Sequence, residues 1–245
     1  ITELPPLPMP LDNLSATYAD GCLYVAGGKG KPQTVPIGQD GSQTAPTNPL
    51  FSLQLTPSLQ KEWVRLPDFP GPARIQPVLT AQQSEDGIRL YLAGGFQPAS
   101  AHQEAIVCTD MLSYHPKTKQ WRNEGFLPSL AGGSHRTVTG GCAIASGDSS
   151  ILLVGGVNYD RFRDALNHPE PDYLLHPADW YKFNTSLLQY NTFTKHWTHL
   201  GNYEELARAG AGIANNANTV IIIGGELKPG IHTPEVNAFK LTCHP

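Results

Sequence analysis

Four copies of one strand ending constrain this chain more than any other feature of its sequence. Each copy is a short apolar run of strand-forming residues that stops at two glycines. The copies lie at residues 23–28, 90–95, 151–156 and 220–225. Because a short strand cannot bury both of its faces alone, a repeated one predicts units that stack on each other.

Composition agrees with a strand-rich protein and excludes several classes of function. The chain has 24 glycines, 22 prolines and only 16% charged residues, which indicates many turns and few long helical faces. A hydrophobic content of 40% is enough for a core. The net charge of −4 provides no basic field for nucleic acid or an anionic membrane. The four cysteines form no C-x-x-C pair, so they predict neither a zinc site nor a dense disulfide framework.

Each glycine pair belongs to a longer unit of four strands. The predicted first strands are 15–19, 77–81, 137–145 and 210–214, the third strands are 50–55, 111–115 and 186–190, and the fourth begin at Trp63, Trp121 and Trp197. Four strands, with a diglycine on the second and a tryptophan on the fourth, resemble the kelch motif. We therefore predict an all-β fold, a kelch-type β-propeller with four blades visible in one domain, residues 1–245.

The two ends of the chain suggest how the ring closes. The last unit ends at 236–241 without a tryptophan strand, while residues 1–7 resemble an unpaired fourth strand. Pairing these two segments would remove both exposed edges. Kelch rings usually have more than four blades, so we expect six in the intact protein, with two blades upstream. A compact ring of four blades is the alternative.

Strand direction predicts one face on which candidate functional residues meet. Neighbouring strands of a blade are antiparallel, so the residues after each glycine pair share a face with those before each first strand. The first set is Lys29, Phe96, Val157 and Glu226, and the second is Asn13, Arg74, His135 and Arg208. Guanidinium groups bind carboxylates well because two parallel N–H donors match the two oxygens.

Glu226 is the candidate catalytic group at this face. A carboxylate followed by Lys228 and His232 can act as a general acid or base, although a solvated loop glutamate paired with Lys228 is the alternative. We predict that Glu226 and His232 are catalytic and that Lys228 binds substrate.

The remaining candidates have structural alternatives as well. Arg74 and Arg208 either bind substrate or lock neighbouring blades through carbonyl contacts. His135 either binds substrate or bonds a nearby loop, and Asn158 stands in a turn-forming position. We expect the insert at 159–184 to be irregular. It offers only His168 and His176, too few ligands to predict a metal site.

Several stretches resemble one family, the N-acetylneuraminate epimerases (sialic acid mutarotases). They are residues 4–8, 69–76, 154–158, 183–190 and 225–233. The resemblance implies an isomerase that interconverts the α- and β-anomers of N-acetylneuraminate, with Glu226 as general base, His232 or a water it holds as acid, and no metal or other cofactor. The family motif has arginine where this chain has His232. The chain therefore departs from the family pattern at this position.

The resemblance also bears on partners and location. It implies a small sugar acid as substrate; we expect no nucleic-acid or membrane partner, a homodimer as one possible assembly, and a periplasmic location. The alternative function is a non-catalytic kelch propeller that binds a carbohydrate or a protein, because propellers support many unrelated functions.

Overall fold

The computed structural model describes residues 3–30, 48–130, 132–216 and 218–241, and its strands form the four blades of a kelch-type β-propeller. Each blade is an antiparallel sheet whose first strand is innermost, and these inner strands pack side by side from one blade to the next. The predicted fold class is therefore confirmed. None of the described helices is long and apolar enough to span a membrane.

The first two blades contain eleven strands, including three short pairing segments. The first unit comprises β1 (Leu11–Asp12), β2 (Ser15–Ala19), β3 (Cys22–Ala26), β4 (Lys29–Gly30), β5 (Leu50–Gln54) and β6 (Val64–Leu66). The second comprises β7 (Ile75–Ser84), β8 (Gly87–Gln97), β9 (Ile106–Val107), β10 (Asp110–His115) and β11 (Gln120–Phe126). Most of the loop predicted at 29–49 lies outside the described residues.

The third and fourth units differ from each other in their outer strands. The third comprises β12 (Cys142–Ser146), β13 (Ser150–Val154), α1 (Tyr159–Asn167), short 3-10 helices at Tyr173–Leu175 and Ala178–Tyr181, β14 (Ser186–Asn191) and β15 (His196–Asn202). The fourth comprises a 3-10 helix at Glu204–Leu206, β16 (Gly212–Asn216), β17 (Thr219–Ile223), β18 (Glu226–Lys228), β19 (Ile231–His232) and β20 (Val236–Lys240). Up to residue 241, the fourth blade has three main strands.

The core lies between neighbouring blades. Buried side chains from facing strands form one cluster between each pair of blades, as with Leu50 against Tyr114, Tyr91 against Tyr190, and Leu187 near Ile222. Full burial of such a side chain contributes about 1.5–3 kcal/mol. Tryptophan adds a hydrogen bond between blades, because the indole N–H of Trp121 in the second blade donates to the carbonyl of Pro67, which follows the first blade, at 2.9 Å. The stacked blades thus fix where each strand ends, which positions the loops.

Three sequence predictions need correction. The first strand of the third blade is β12, which begins five residues after the predicted start at Thr137. The insert at 159–184 is not irregular, since it begins with α1. Residues 3–7 form no strand, and within the described residues β20 pairs only with β17, so the predicted closure between 1–7 and 236–241 is not seen.

Candidate functional site

A chain of backbone hydrogen bonds links the starts of the four inner strands. The N–H of Gln76 donates to the carbonyl of Asn13 at 2.8 Å, that of Gly140 to Gln76 at 3.0 Å, and that of Gly210 to Gly140 at 2.7 Å. We call these four residues the inner arc. All four have positive φ, between 53° and 69°, so they are equivalent positions of the repeat. The inner arc marks the centre of one face of the propeller.

The four residues that follow the glycine pairs surround the inner arc. Each pairs with the residue immediately before an arc position: Lys29 with Asp12, Phe96 with Ile75, Val157 with Thr139, and Glu226 with Ala209. This repeated pairing places all four on one face, as the strand directions predict. We call this face the mouth.

Two of these positions are covered and two are charged. Phe96 packs edge-on against Phe162 of α1, with ring centres 5.1 Å apart, and Val157 is buried beneath the insert. Lys29 is exposed, and the side chain of Glu226 is 36% exposed. The insert therefore leaves Glu226 as the accessible carboxylate among the post-glycine residues.

Glu226 and His232 face each other across a small hairpin. They are paired in the register of β18 and β19, and Nδ1 of His232 lies 3.9 Å from Oε1 of Glu226. Two backbone hydrogen bonds to Ala209, of 2.7 and 3.0 Å, hold Glu226 beside the inner arc. The imidazole is 71% exposed. A hydroxyl placed between the two groups can give a proton to one and receive a proton from the other.

Lys228 ties this hairpin to the insert. Its ammonium group donates to the carbonyl oxygens of Leu174 at 3.1 Å and His176 at 2.6 Å. The cation is thus engaged with the protein rather than paired with Glu226. Lys228 positions the hairpin, and its predicted role in substrate binding has no support in this geometry.

Arg74 and Arg208 are buried and bonded to their own blades. Arg74 donates to both carboxylate oxygens of Asp110 at 2.9 Å and to the carbonyl of Gly94, also at 2.9 Å. Arg208 is 2% exposed and donates to Glu235 at 3.1 Å and to Asn237 at 3.0 Å. These contacts engage both guanidinium groups within the protein and so favour a structural role for the two arginines.

The backbone carbonyls of these arginines form hydrogen bonds with the preceding blades. The carbonyl of Arg74 accepts from the N–H of Gly28 at 2.8 Å, and that of Arg208 accepts from Gly156 at 2.9 Å. In each case the glycine belongs to the preceding blade. The two arginines therefore join blades through their carbonyls and stabilise single blades through their side chains.

His135 does not correspond to the two arginines. Arg74 and Arg208 each precede an arc residue by two positions, and the residue two positions before Gly140 is Val138. His135 is exposed, and its ring packs edge-on against Tyr159 at 5.1 Å. The predicted equivalence was wrong by three residues because β12 begins later than expected.

The insert is an ordered cap at the edge of the mouth. Asn158 caps α1 by accepting from the N–H of Arg161 at 3.0 Å, which is the structural role that its turn-forming position suggests. The side chain of Asn184 donates to the carbonyls of Thr137, Gly155 and Val157 at 2.8–3.1 Å and so anchors the other end.

Aromatic rings fill the insert. Trp180 stacks on His176 at 3.8 Å, and the Arg161 guanidinium lies 4.5 Å from the Trp180 ring centre. The Tyr181 hydroxyl donates to the carbonyl of Tyr173, and burial raises the pKa of both tyrosines. These contacts make the aromatic residues structural.

The insert also gathers three groups of the types that bind metals. Possible ligand atoms of Glu170, Asp172 and His176 lie within 4.8 Å of one another. Both carboxylates are exposed, and exposed acidic groups commonly cluster without an ion. His168, the other histidine considered from the sequence, instead contacts Asp164 at 3.0 Å.

One mouth residue was not predicted from the sequence. Gln76 belongs to the inner arc, and its side chain approaches that of Asn13, with 3.4 Å between Nε2 and Oδ1. Glutamine rarely adopts positive φ, so its residue type gives no signal. Alignment of the four repeats on Asn13, Gly140 and Gly210 would have identified the position.

Comparisons with known proteins agree with this architecture. A family model described as N-acetylneuraminate epimerase matches residues 5–244. Relatives named N-acetylneuraminate epimerase include proteins of Pasteurella multocida (strain Pm70), 26% identical over 82% of this chain, and Haemophilus influenzae (strain PittEE), 29% identical over 93%. A third, from Salmonella typhimurium (strain LT2), is 27% identical over 95% of this chain.

The matches cover a smaller share of the relatives than of this chain. The chain spans 52%, 60% and 57% of the lengths of those three proteins, respectively. A solved structure of YjhT matches 99% of this chain and 69% of its own, with a TM-score of 0.71 and 22% sequence identity. That likeness supports the propeller fold.

Proposed function

This chain belongs to the N-acetylneuraminate epimerase family, and on that premise we propose that it interconverts the α- and β-anomers of N-acetylneuraminate. The reaction class is isomerisation of a sugar acid through its open-chain form. Because the chain spans 52–60% of the relatives compared, the proposal concerns the protein of which these blades are part.

The chemistry requires two proton transfers. A base removes the proton of the anomeric hydroxyl while an acid protonates the ring oxygen, the bond from the anomeric carbon to that oxygen breaks, and the carbonyl forms. Closure on the opposite face of the carbonyl reverses both transfers and gives the other anomer. General acid–base catalysis of such transfers contributes about 10²–10⁴ in rate.

The observation that carries the proposal is the pairing of Glu226 with His232 at the mouth. The carboxylate and imidazole lie 3.9 Å apart, both reach solvent, and backbone pairing with Ala209 fixes the glutamate. We assign Glu226 as general base, and His232, directly or through a water that it holds, as general acid. Arginine cannot release a proton in proteins, so the histidine makes proton transfer at this position feasible here.

The test is NMR of freshly released α-anomer with and without the protein. We expect the protein to accelerate appearance of the β-anomer, and Glu226→Gln to reduce the acceleration about 100-fold or more. The variant His232→Arg introduces a guanidinium, which does not release a proton, so we expect about a 10-fold loss or more.

Glu62→Gln is the matched control, because Glu62 is an exposed glutamate outside the mouth. It should retain full acceleration. Full acceleration by a folded Glu226→Gln protein would contradict the assigned base. Unchanged acceleration by His232→Arg would instead assign position 232 an electrostatic role.

A non-catalytic propeller that binds carbohydrate or protein is the second candidate. One observation favours it: the cationic groups of Arg74, Arg208 and Lys228 all form hydrogen bonds within the protein. This leaves fewer groups at the mouth to hold a sugar acid. Absence of any acceleration of anomer exchange by the full-length protein would select this function.

A further inference from the structure

A second concave site lies between the end of the second blade and the outer strands of the third. It is a cleft of about 460 Å³. Pro128, Leu130 and Leu188 supply apolar walls, while Ser129, Arg136 and His199 supply polar groups. None of the cleft's lining residues belongs to the inner arc or to the hairpin of Glu226 and His232, so the cleft is separate from the mouth.

Arg136 is the unusual residue of this cleft. Its side chain is buried, with 7% of the residue exposed, and its Nε donates to the carbonyl of Pro128 at 3.0 Å. Its Nη1 is buried and has no hydrogen-bond partner. Across the described residues, no carboxylate forms a salt bridge with it.

Two other buried arginines, Arg74 and Arg208, show what Arg136 lacks. Arg74 meets Asp110 at 2.9 Å and Arg208 meets Glu235 at 3.1 Å, although each of them also leaves its Nε unpaired. Their charges are therefore compensated, whereas the charge of Arg136 is not. An unpaired buried ion costs several kcal/mol.

The protein cannot remove this cost by losing the proton. Burial lowers the pKa of Arg136, but a guanidinium remains protonated in proteins. An anion from solution can compensate the charge, because Arg136 lines a cleft that has room for a small molecule.

We propose that this cleft binds the carboxylate group of a small organic acid, with the guanidinium group of Arg136 as its principal donor. One guanidinium balances one negative charge, and the hydroxyl group of the neighbouring Ser129 adds a neutral donor. A phosphate dianion would keep an unmatched charge here. The apolar side chains of Pro128, Leu130 and Leu188 suit the carbon skeleton of the acid.

The experiment is a titration of labelled protein with sodium propionate at fixed pH, followed by NMR of the His199 ring and the Arg136 side-chain N–H. We expect saturable shifts in the wild type and at least a 10-fold weaker response of His199 in Arg136→Met. Arg163→Met is the matched control, because Arg163 is exposed on α1, and it should respond like the wild type.

Stability gives an independent readout. Because Arg136→Met removes an unpaired buried charge, it should melt at the same or a higher temperature than the wild type in buffer free of carboxylates. Propionate should raise the melting temperature of the wild type only. If Arg136→Met does not fold, Arg136→Gln replaces it in both measurements.

Further titrations distinguish the sources of the anion. N-acetylneuraminate shifting the same signals as propionate supports the site and identifies a sugar acid as an occupant. Tighter binding of inorganic phosphate than of propionate would overturn the carboxylate preference. Absence of saturable shifts with both acids, or equal shifts in Arg136→Met, would overturn the site. None of these outcomes depends on catalysis at Glu226.

Discussion

At the scale of single residues, a buried carboxylate joins the second blade to the third. Glu124 has a side chain only 3% exposed, and it accepts hydrogen bonds from Ser113 at 2.5 Å, Arg122 at 2.8 Å and Tyr190 of the third blade at 2.9 Å. Burial alone raises the pKa of Glu124, but the hydrogen bonds from Ser113, Arg122 and Tyr190 outweigh it and lower the pKa. The ionised form is therefore part of the folded structure.

We predict that Glu124→Gln lowers the free energy of unfolding at pH 7 by about 3–5 kcal/mol, because it breaks a buried charge network. Since folding lowers the pKa, the carboxylate stabilises the protein above its unfolded pKa, and this stabilisation is lost as the pH falls below about 4.5. Urea unfolding at pH 7, 5 and 3.5 measures both effects.

Glu85→Gln is the control, since the Glu85 side chain is 57% exposed and lies 4.0 Å from Arg122. It should change stability by less than about 1 kcal/mol. The variant Glu124→Gln should also lose less stability than the wild type between pH 5 and 3.5. Equal losses in the two proteins would contradict a role for the ionised carboxylate.

Residue type distinguished Glu226 from the equivalent positions of the repeat, but it gave no comparable distinction for the arginines. Glu226 stood out because the equivalent positions of the other repeats are not acidic. Arg74 and Arg208 resembled ligand-binding groups, but their partners Asp110 and Glu235 lie 36 and 27 residues away in the chain. Sequence alone does not reveal such distant pairing, so it could not separate a buried structural arginine from an accessible one.

At the scale of elements, the hairpin of β18 and β19 depends on the insert. Lys228 spans the gap between them with two hydrogen bonds to carbonyl oxygens. Hydrogen bonds from a charged donor contribute about 1.5–3 kcal/mol each at most. The position of Glu226 is thus supported by a segment more than 40 residues earlier in the chain.

We predict that Lys228→Met speeds amide hydrogen exchange in residues 173–181 and 226–232 and leaves exchange in the first two blades unchanged. The opening free energy of these segments should fall by about 1–3 kcal/mol. Exchange followed by mass spectrometry measures it, with Lys240→Met, an exposed lysine of β20, as control. Equal exchange in the two variants would show that the insert is held without Lys228.

Elements were predicted most accurately where the repeat is strict. The third strands fall within one residue of their predicted limits. Each is a short apolar run that is followed by a strand containing tryptophan, and this order makes its limits easy to predict. The start of β12 was misplaced because Thr137 and Thr139 look like strand residues, yet their hydroxyls bond each other at 2.7 Å in a buried turn. Asn158, which caps α1, is a residue type that commonly marks the start of a helix, although the sequence predicted an irregular segment there.

At the scale of the whole molecule, the inner arc shows that four dissimilar sequences occupy one backbone geometry. Asparagine, glutamine and two glycines hold the same positive φ and continue one chain of hydrogen bonds. The fold was predictable because glycine pairs and tryptophans recur. Three arc positions hold asparagine or glycine, which favour positive φ, so only Gln76 has a residue type that conceals the shared geometry. The six-bladed ring stays a prediction, since four blades are described.

The equivalence of the arc positions leads to a test of the repeat itself. Gly210 has φ of 63°, and an added Cβ would meet no atom within 4 Å, so only its backbone conformation opposes substitution. Valine in this conformation costs about 1–2 kcal/mol or more, whereas asparagine adopts it readily, as Asn13 does in the first blade. We predict that Gly210→Val lowers the free energy of unfolding by that amount and that Gly210→Asn lowers it by less than about 1 kcal/mol. Urea unfolding of the two variants beside the wild type measures the difference, and equal stability of the valine and asparagine proteins would contradict the shared geometry.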